Sequence, residues 1–175
     1  MSEKHDHDSH YKELSGHDGM AKIAELVKGI RIAMMTTVAK DGSMSSRPMA
    51  VQDEPFNGTL WFLTRRGSEK LAEVEGDHHV TLSFAEPKDS KYITLKGMGS
   101  FNQDRGKIED LWNPMYKAWF PKGKEDPDIA VLRVEVREAD YWEASSSHLV
   151  MMAKYIAASV TGGKVAIGES GHVRV

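Results

Sequence analysis

The sequence predicts a mainly β fold with α-helices, a six-stranded antiparallel β-barrel, closed and decorated by short helices. Two observations carry this. Strand-like segments pair across tight turns at 32–52 and 79–101, as antiparallel hairpins do and parallel crossovers cannot. The helical patterns between other strands are short, which disfavours a doubly wound α/β sheet. At 175 residues and 40% hydrophobic, the chain has one domain's length and enough apolar side chains for a core.

The elements follow in order. Residues 1–16 are polar, with His5, His7 and His10 interleaved with Asp6 and Asp8. Imidazole and carboxylate can ligate metal, but a solvated terminus accounts for the same composition, and no metal is assigned there. The expected division is a flexible N-terminal tail (1–16), one domain (17–165) and a C-terminal tail (166–175).

His17 to Val27 places Met20, Ile23, Ala24 and Val27 at helical spacing, with Gly29 closing the helix. Arg31–Val38 and Met44–Gln52 are strand-forming and flank Asp41-Gly42, a strong hairpin signal. Pro48 cannot donate to a ladder, so its strand must be irregular or have a free side. Leu60–Thr64 is the third strand and Ser68–Glu75 a helix. His79–Phe84 and Lys91–Phe101 form the next hairpin, and Gly97-Met98-Gly99 predicts a bulge or close backbone approach.

Asp104 to Phe120 has helical periodicity, broken at Pro114, where Asn113 reads as a new N-cap. Ala130–Ala144 is a long strand and Leu149–Val160 a last helix; the residues after Thr161 carry weak signals.

Composition excludes several classes. With a formal charge of −3 and a pI near 6.2, the chain lacks the general basic surface expected of a nucleic-acid binder. It has no cysteine, which removes disulfides, thiolate metal centres and cysteine catalysis. No stretch resembles a signal peptide or membrane span, so a cytoplasmic protein without membrane contact is expected.

The stretch Leu60–Lys70 carries the main chemical signal. A strand turns through Arg65-Arg66-Gly67 into a helix whose N-cap is Ser68. A helix start offers free N–H groups and partial positive charge, with Arg65, Arg66 and Lys70 beside it. Arg47, on a strand expected nearby, adds a guanidinium. Together Arg47, Ser68 and Lys70 suit a phosphate monoester. Solvated charges around a capped helix explain the same residues equally well. Trp112, Trp119, Phe120 and Trp142 suit a planar ligand by type, but aromatics at helical spacing are more often core. Ser145-Ser146-Ser147-His148 has no acid partner, and helix capping explains it; no residue is singled out as catalytic.

Four stretches in order resemble the pyridoxamine 5′-phosphate oxidase-like FMN-binding split barrels, in their general stress protein branch. They are Ser46-Arg47-Pro48-Met49, Trp61-Phe62-Leu63-Thr64 with Gly67-Ser68-Glu69-Lys70, Lys96-Gly97-Met98-Gly99, and Tyr141-Trp142-Glu143-Ala144. The resemblance implies a split barrel and a homodimer with FMN at the subunit interface. Arg47, Ser68 and Lys70 match positions that hold the flavin phosphate. Met49, Ala50, Leu63 and Thr64 match strand positions beside the isoalloxazine ring. Trp142 matches an aromatic that closes the site from the partner chain, and Trp112 is a second candidate for that role.

The chain departs from the true oxidases at Gln52 and Glu69, where they carry cations. It departs again at Ala144–His148, where they carry an Arg-x-His substrate motif. The expected function is therefore an FMN-binding oxidoreductase of unknown substrate rather than a pyridoxamine phosphate oxidase. The alternatives are a non-catalytic flavin carrier or stress sensor, and haem or deazaflavin on the same barrel, for which His78, His79 and His148 are the haem candidates.

Overall fold

A computed structural model of the chain describes residues 11–52, 54–144 and 168–175. Its elements are β1 (Tyr11–Ser15), α1 (Gly16–Val27), β2 (Ile32–Val38), β3 (Met44–Ala50), β4 (Thr59–Arg65), α2 (Glu69–Gly76), β5 (His79–Glu86), β6 (Lys91–Asn102), α3 (Arg105–Leu111), β7 (Ile129–Ala144) and β8 (Gly168–Arg174). Two 3-10 turns, Pro114–Ala118 and Gly123–Glu125, lie between α3 and β7. The class is mainly β with α, as expected. The six predicted strands are all present, and the Asp41-Gly42 turn closes the β2–β3 hairpin with Gly42 at φ 82°, a value that suits glycine.

The described sheet has eight strands rather than six, ordered β1-β8-β7-β6-β5-β2-β3, with β4 paired to β7. β1 and β8 lie within the stretches expected as tails. Their signals are weak for a physical reason: both are short, charged and peripheral, and they pair with each other in parallel across most of the chain. β8 also contains Gly171, where a Cβ would stand 2.7 Å from the Tyr141 ring and 2.5 Å from the Lys12 carbonyl oxygen. A strand that must be bare to pack does not read as apolar alternation. The predicted helix Leu149–Val160 and the Ser145–His148 run lie outside the described residues.

β7 organises the molecule. One side pairs with β6 along nearly its whole length. The other side pairs with β4 over Ile129–Glu135 and with β8 over Glu138–Ala144. The register shifts at Lys96/Gly97, and Gly97 is obligatory there because a Cβ would fall 2.3 Å from the Glu135 carbonyl oxygen. This is the predicted close approach.

β3 pairs with β2 and β4 with β7, but β3 and β4 do not pair with each other. The barrel is thus split rather than closed, and the slit lies between β3 and β4. Pro48 sits on this open-edged strand, where its missing N–H costs no ladder bond.

Inside, Ala33, Met35, Phe62, Leu82, Ile93, Leu95 and Leu132 form the main core, and α1 adds Ile23 and Leu26. Each large side chain so buried contributes about 1.5–3 kcal/mol. A smaller cluster of Leu63, Ile108, Leu111, Phe120, Ile129 and Val131 lies under α3. The break at Pro114 occurs as predicted: Asp104 caps α3 through the Lys107 amide, and Asn113 accepts from the Met115 amide.

Candidate functional site

The inner face of β2–β3 alternates Ala33, Met35 and Thr37 with their partners Met49, Arg47 and Ser45. Strand alternation therefore puts Arg47 at the inner mouth of the barrel, diagonal to Thr37. Across the mouth, β4 ends at Thr64 and Arg65, and the chain turns through Gly67 to Ser68 at the start of α2. Leu71 and Val74 bury the apolar side of α2, and Lys70 and Glu73, three residues apart, share a neighbouring face.

The polar groups form two adjoining hydrogen-bond networks, close enough that Lys70 feels the charges of Arg47 and Glu73. Lys70 Nζ donates to Thr64 Oγ1 at 3.0 Å, and Thr64 Oγ1 lies 3.5 Å from Ser68 Oγ. Ser68 is the N-cap residue, but its side chain makes no cap hydrogen bond and is turned towards Thr64 instead. Arg47 Nη2 donates to Glu73 Oε2 at 2.6 Å, and Arg47 Nη1 donates to Thr37 Oγ1. Thr37 in turn donates to Glu73 Oε2 at 2.5 Å.

Charge follows from this geometry. Burial, with the Arg47 charge next, pushes the Lys70 amine below its ordinary value, and Glu73 and Glu69 only partly offset that. Burial alone would raise the Glu73 carboxyl. Hydrogen bonds from Thr37, Arg47 and Ser45, together with the Arg47 charge, outweigh it and hold the acid below its ordinary value. Arg47 thus has a carboxylate partner, whereas no described carboxylate forms an ion pair with Lys70.

The predicted phosphate set of Arg47, Ser68 and Lys70 therefore converges, although Arg47 is engaged by a group the sequence did not suggest. Thr37, Ser45 and Glu73 were missed because nothing in the local pattern connects a helix glutamate to an arginine 26 residues earlier. Arg65 and Arg66 turn elsewhere, to the Trp119 carbonyl and to Gln103.

The predicted ring-side positions divide. Met49 is buried in the main core and Leu63 in the cluster under α3. Leu63 and Thr64, adjacent on a strand, direct their side chains to opposite faces, so one ring cannot rest on both side chains. Their backbones differ from their side chains. The Val51 amide bonds the Arg31 carbonyl on the β2 side, so alternation turns the backbone groups of Ala50 to the slit. The Gly58 carbonyl bonds the Val136 amide on the β7 side, which by the same rule turns those of Leu63 to the slit. Ala50 and Leu63 thus offer main-chain donors and acceptors there. A cavity of about 450 Å³, lined in part by Val27, Ile30, Val51, Gln52, Phe56 and Leu60, adjoins the end of β3.

Trp112 is half-buried against the cluster under α3, with its ring 6.0 Å from that of Tyr116 and 6.4 Å from that of Phe120. Trp142 pairs with Tyr92 on β6, whereas Thr64 pairs with Ala130. Trp142 points to the outer face, next to the inward, buried Tyr141, whereas Arg47 lies on the inner face. A single chain does not bring Trp142 to the Arg47–Lys70 cluster.

The profile of the family described as "Pyridoxamine 5′-phosphate oxidase like" matches residues 18–166. Protein bli-3 of Neurospora crassa is 32% identical, over 78% of this chain and 69% of its own length. The solved structure of the general stress FMN/FAD binding protein of Xanthomonas citri is similar, with a TM-score of 0.64 and 26% identity, covering 75% of this chain and 93% of that one. A Jannaschia protein assigned to general stress protein 26 shares the fold, with a TM-score of 0.75 at 20% identity over 91% of this chain and all of that one.

Proposed function

The chain belongs to the pyridoxamine 5′-phosphate oxidase-like family, and from that premise we propose that it is an FMN-binding oxidoreductase that works as a homodimer. The observation that carries the reading is Lys70: a partly buried ammonium, near Arg47, bonded to a hydroxyl and in no ion pair among the described residues, with the charges of Glu73 and Glu69 only partly offsetting its burial. Such a cation suits an anionic ligand, and a phosphate monoester brings two charges and several acceptors to it.

The donor set fits the flavin phosphate. Lys70 and the free N–H groups of Arg47 would hold it, with the Ser68 hydroxyl beside them. The main-chain groups of Ala50 and Leu63 on the slit offer complementary donors and acceptors to the polar edge of a ring. When bound, the flavin supplies the electron transfer; the protein binds it, orients it and tunes its potential.

The homodimer is supported by the outer face of the sheet. Ile32 and Trp142 are each 53% exposed, Tyr92 47% and Met34 42%, and all four point outward. An apolar surface of this kind marks an interaction site. In a two-fold pair, Trp142 of each chain would be free to approach the other chain's cluster, which it cannot do in its own.

Pyridoxamine phosphate oxidation is disfavoured. Gln52, where the true oxidases resembled carry lysine, spends its amide on the Tyr116 hydroxyl at 2.5 Å. The deciding experiment is a visible spectrum of the purified protein, followed by titration with FMN, FAD and riboflavin. FMN should bind most tightly and riboflavin, lacking phosphate, least. Equal affinity for FMN and riboflavin would remove the phosphate cradle from the account. Flavin turnover with NAD(P)H then separates an oxidoreductase from a carrier.

A further inference from the structure

The cradle contains an anion of its own. Glu73 Oε2 takes a hydrogen bond from Arg47 at 2.6 Å and another from Thr37 at 2.5 Å, so two donors keep this carboxylate on the guanidinium. Arginine has five N–H donors, and Glu73 and Thr37 occupy two of them. The remainder make no hydrogen bond among the described residues, but any phosphate that reaches both Arg47 and Lys70 must lie beside a fixed negative charge.

We propose that Glu73 is the internal counter-ion of the flavin-phosphate cradle, holding Arg47 when no phosphate is bound and weakening the grip on phosphate when one is. This rests on the flavin reading above and extends it: the site is built for exchangeable flavin rather than permanent retention. Two cations and one carboxylate leave the cradle short of the charge that would neutralise a phosphate dianion. The phosphate therefore binds against repulsion from Glu73, and release restores a ready-made ion pair. A site of two cations without the acid would hold the same ligand longer.

The test compares wild type with Glu73→Gln, which keeps an acceptor for Arg47 and Thr37 but removes the charge. Flavin fluorescence titration and stopped-flow dissociation are the readouts, with FMN, inorganic phosphate and riboflavin as probes. Glu73→Gln should bind FMN and phosphate about tenfold more tightly or better, mainly through slower release, and leave riboflavin unchanged. In the Arg47→Ala background the gain should shrink sharply.

Unchanged or weaker FMN binding by Glu73→Gln would overturn the proposal and make Glu73 a prop for Arg47. If that variant fails to fold, Glu73→Asp serves: its carboxylate is one methylene further from Arg47, and FMN affinity should rise, though less. Weaker binding by the aspartate would again overturn it. A wild-type protein that binds no FMN would overturn the flavin reading together with this one. Wild-type binding with no gain from either variant would overturn this one alone.

Discussion

Lys70 Nζ donates to Thr64 Oγ1 at 3.0 Å, joining the first turn of α2 to the last residues of β4. The contact is to a hydroxyl, so the ammonium charge is oriented without being neutralised. Lys70→Met should therefore cost FMN affinity about tenfold or more, the usual scale for a charge-assisted hydrogen bond. The pH dependence has a definite sign. Since the free amine titrates below its ordinary 10.5, FMN affinity should fall as the pH rises towards that value, and the fall should disappear in Lys70→Met. The ligand-free fold should gain stability over the same rise, because the folded state releases this proton earlier than the unfolded chain. Fluorescence titration from pH 7 to 10.5 and thermal unfolding check the two statements.

Asp140 bridges Lys96 at 2.7 Å and His172 at 2.8 Å on the outer face of β6, β7 and β8. Burial would raise its carboxyl, but the hydrogen bonds from Lys96 and His172 and their charges hold it below the ordinary value. The stabilisation is thus complete above the unfolded value near 3.8 and is lost as the pH falls through the lowered folded one. Asp140→Asn should flatten the acid limb of the stability curve; an identical limb would show that other carboxylates set it.

Gly97→Ala places a Cβ 2.3 Å from the Glu135 carbonyl, against backbone rather than a mobile side chain. The strands must separate or the bulge must move, at a cost of about 3 kcal/mol. Urea denaturation measures this directly. A loss under ~1 kcal/mol would mean that the bulge relocates cheaply.

Trp142→Glu should convert a dimer to monomers in sedimentation experiments, while leaving the fold intact because the indole is exposed in the single chain. FMN affinity should fall with it if Trp142 reaches the partner's cluster. Loss of dimerisation with full FMN affinity would place the whole binding site within one chain.

Much of this molecule is legible in its sequence, for physical reasons that also explain what is not. Hairpins such as β2–β3 announce themselves because Asp41-Gly42 and the flanking alternation are local. Ser68 and Lys70, the residues expected to hold phosphate, sit in one turn-and-helix unit, so a local pattern brings them together. β1 and β8 escaped because their partners are remote and Gly171 is bare for packing against Tyr141. Glu73 escaped because a carboxylate on a helix reads as a solvated charge until the fold sets Arg47 beside it. Leu63 shows a different limit: the resemblance implies a place beside the ring, but its side chain packs under α3 and only its main chain faces the slit.

The slit between β3 and β4 leaves two strand edges without a partner among the described residues, a geometry that invites another chain to zip itself in. Since the Val51 amide faces β2, the Pro48 nitrogen, three residues earlier, faces the opening. An invading strand would find a donor at Ser46 and at Ala50 and none at the midpoint between them. One proline thus leaves this edge of the barrel poorly matched to an added polypeptide strand.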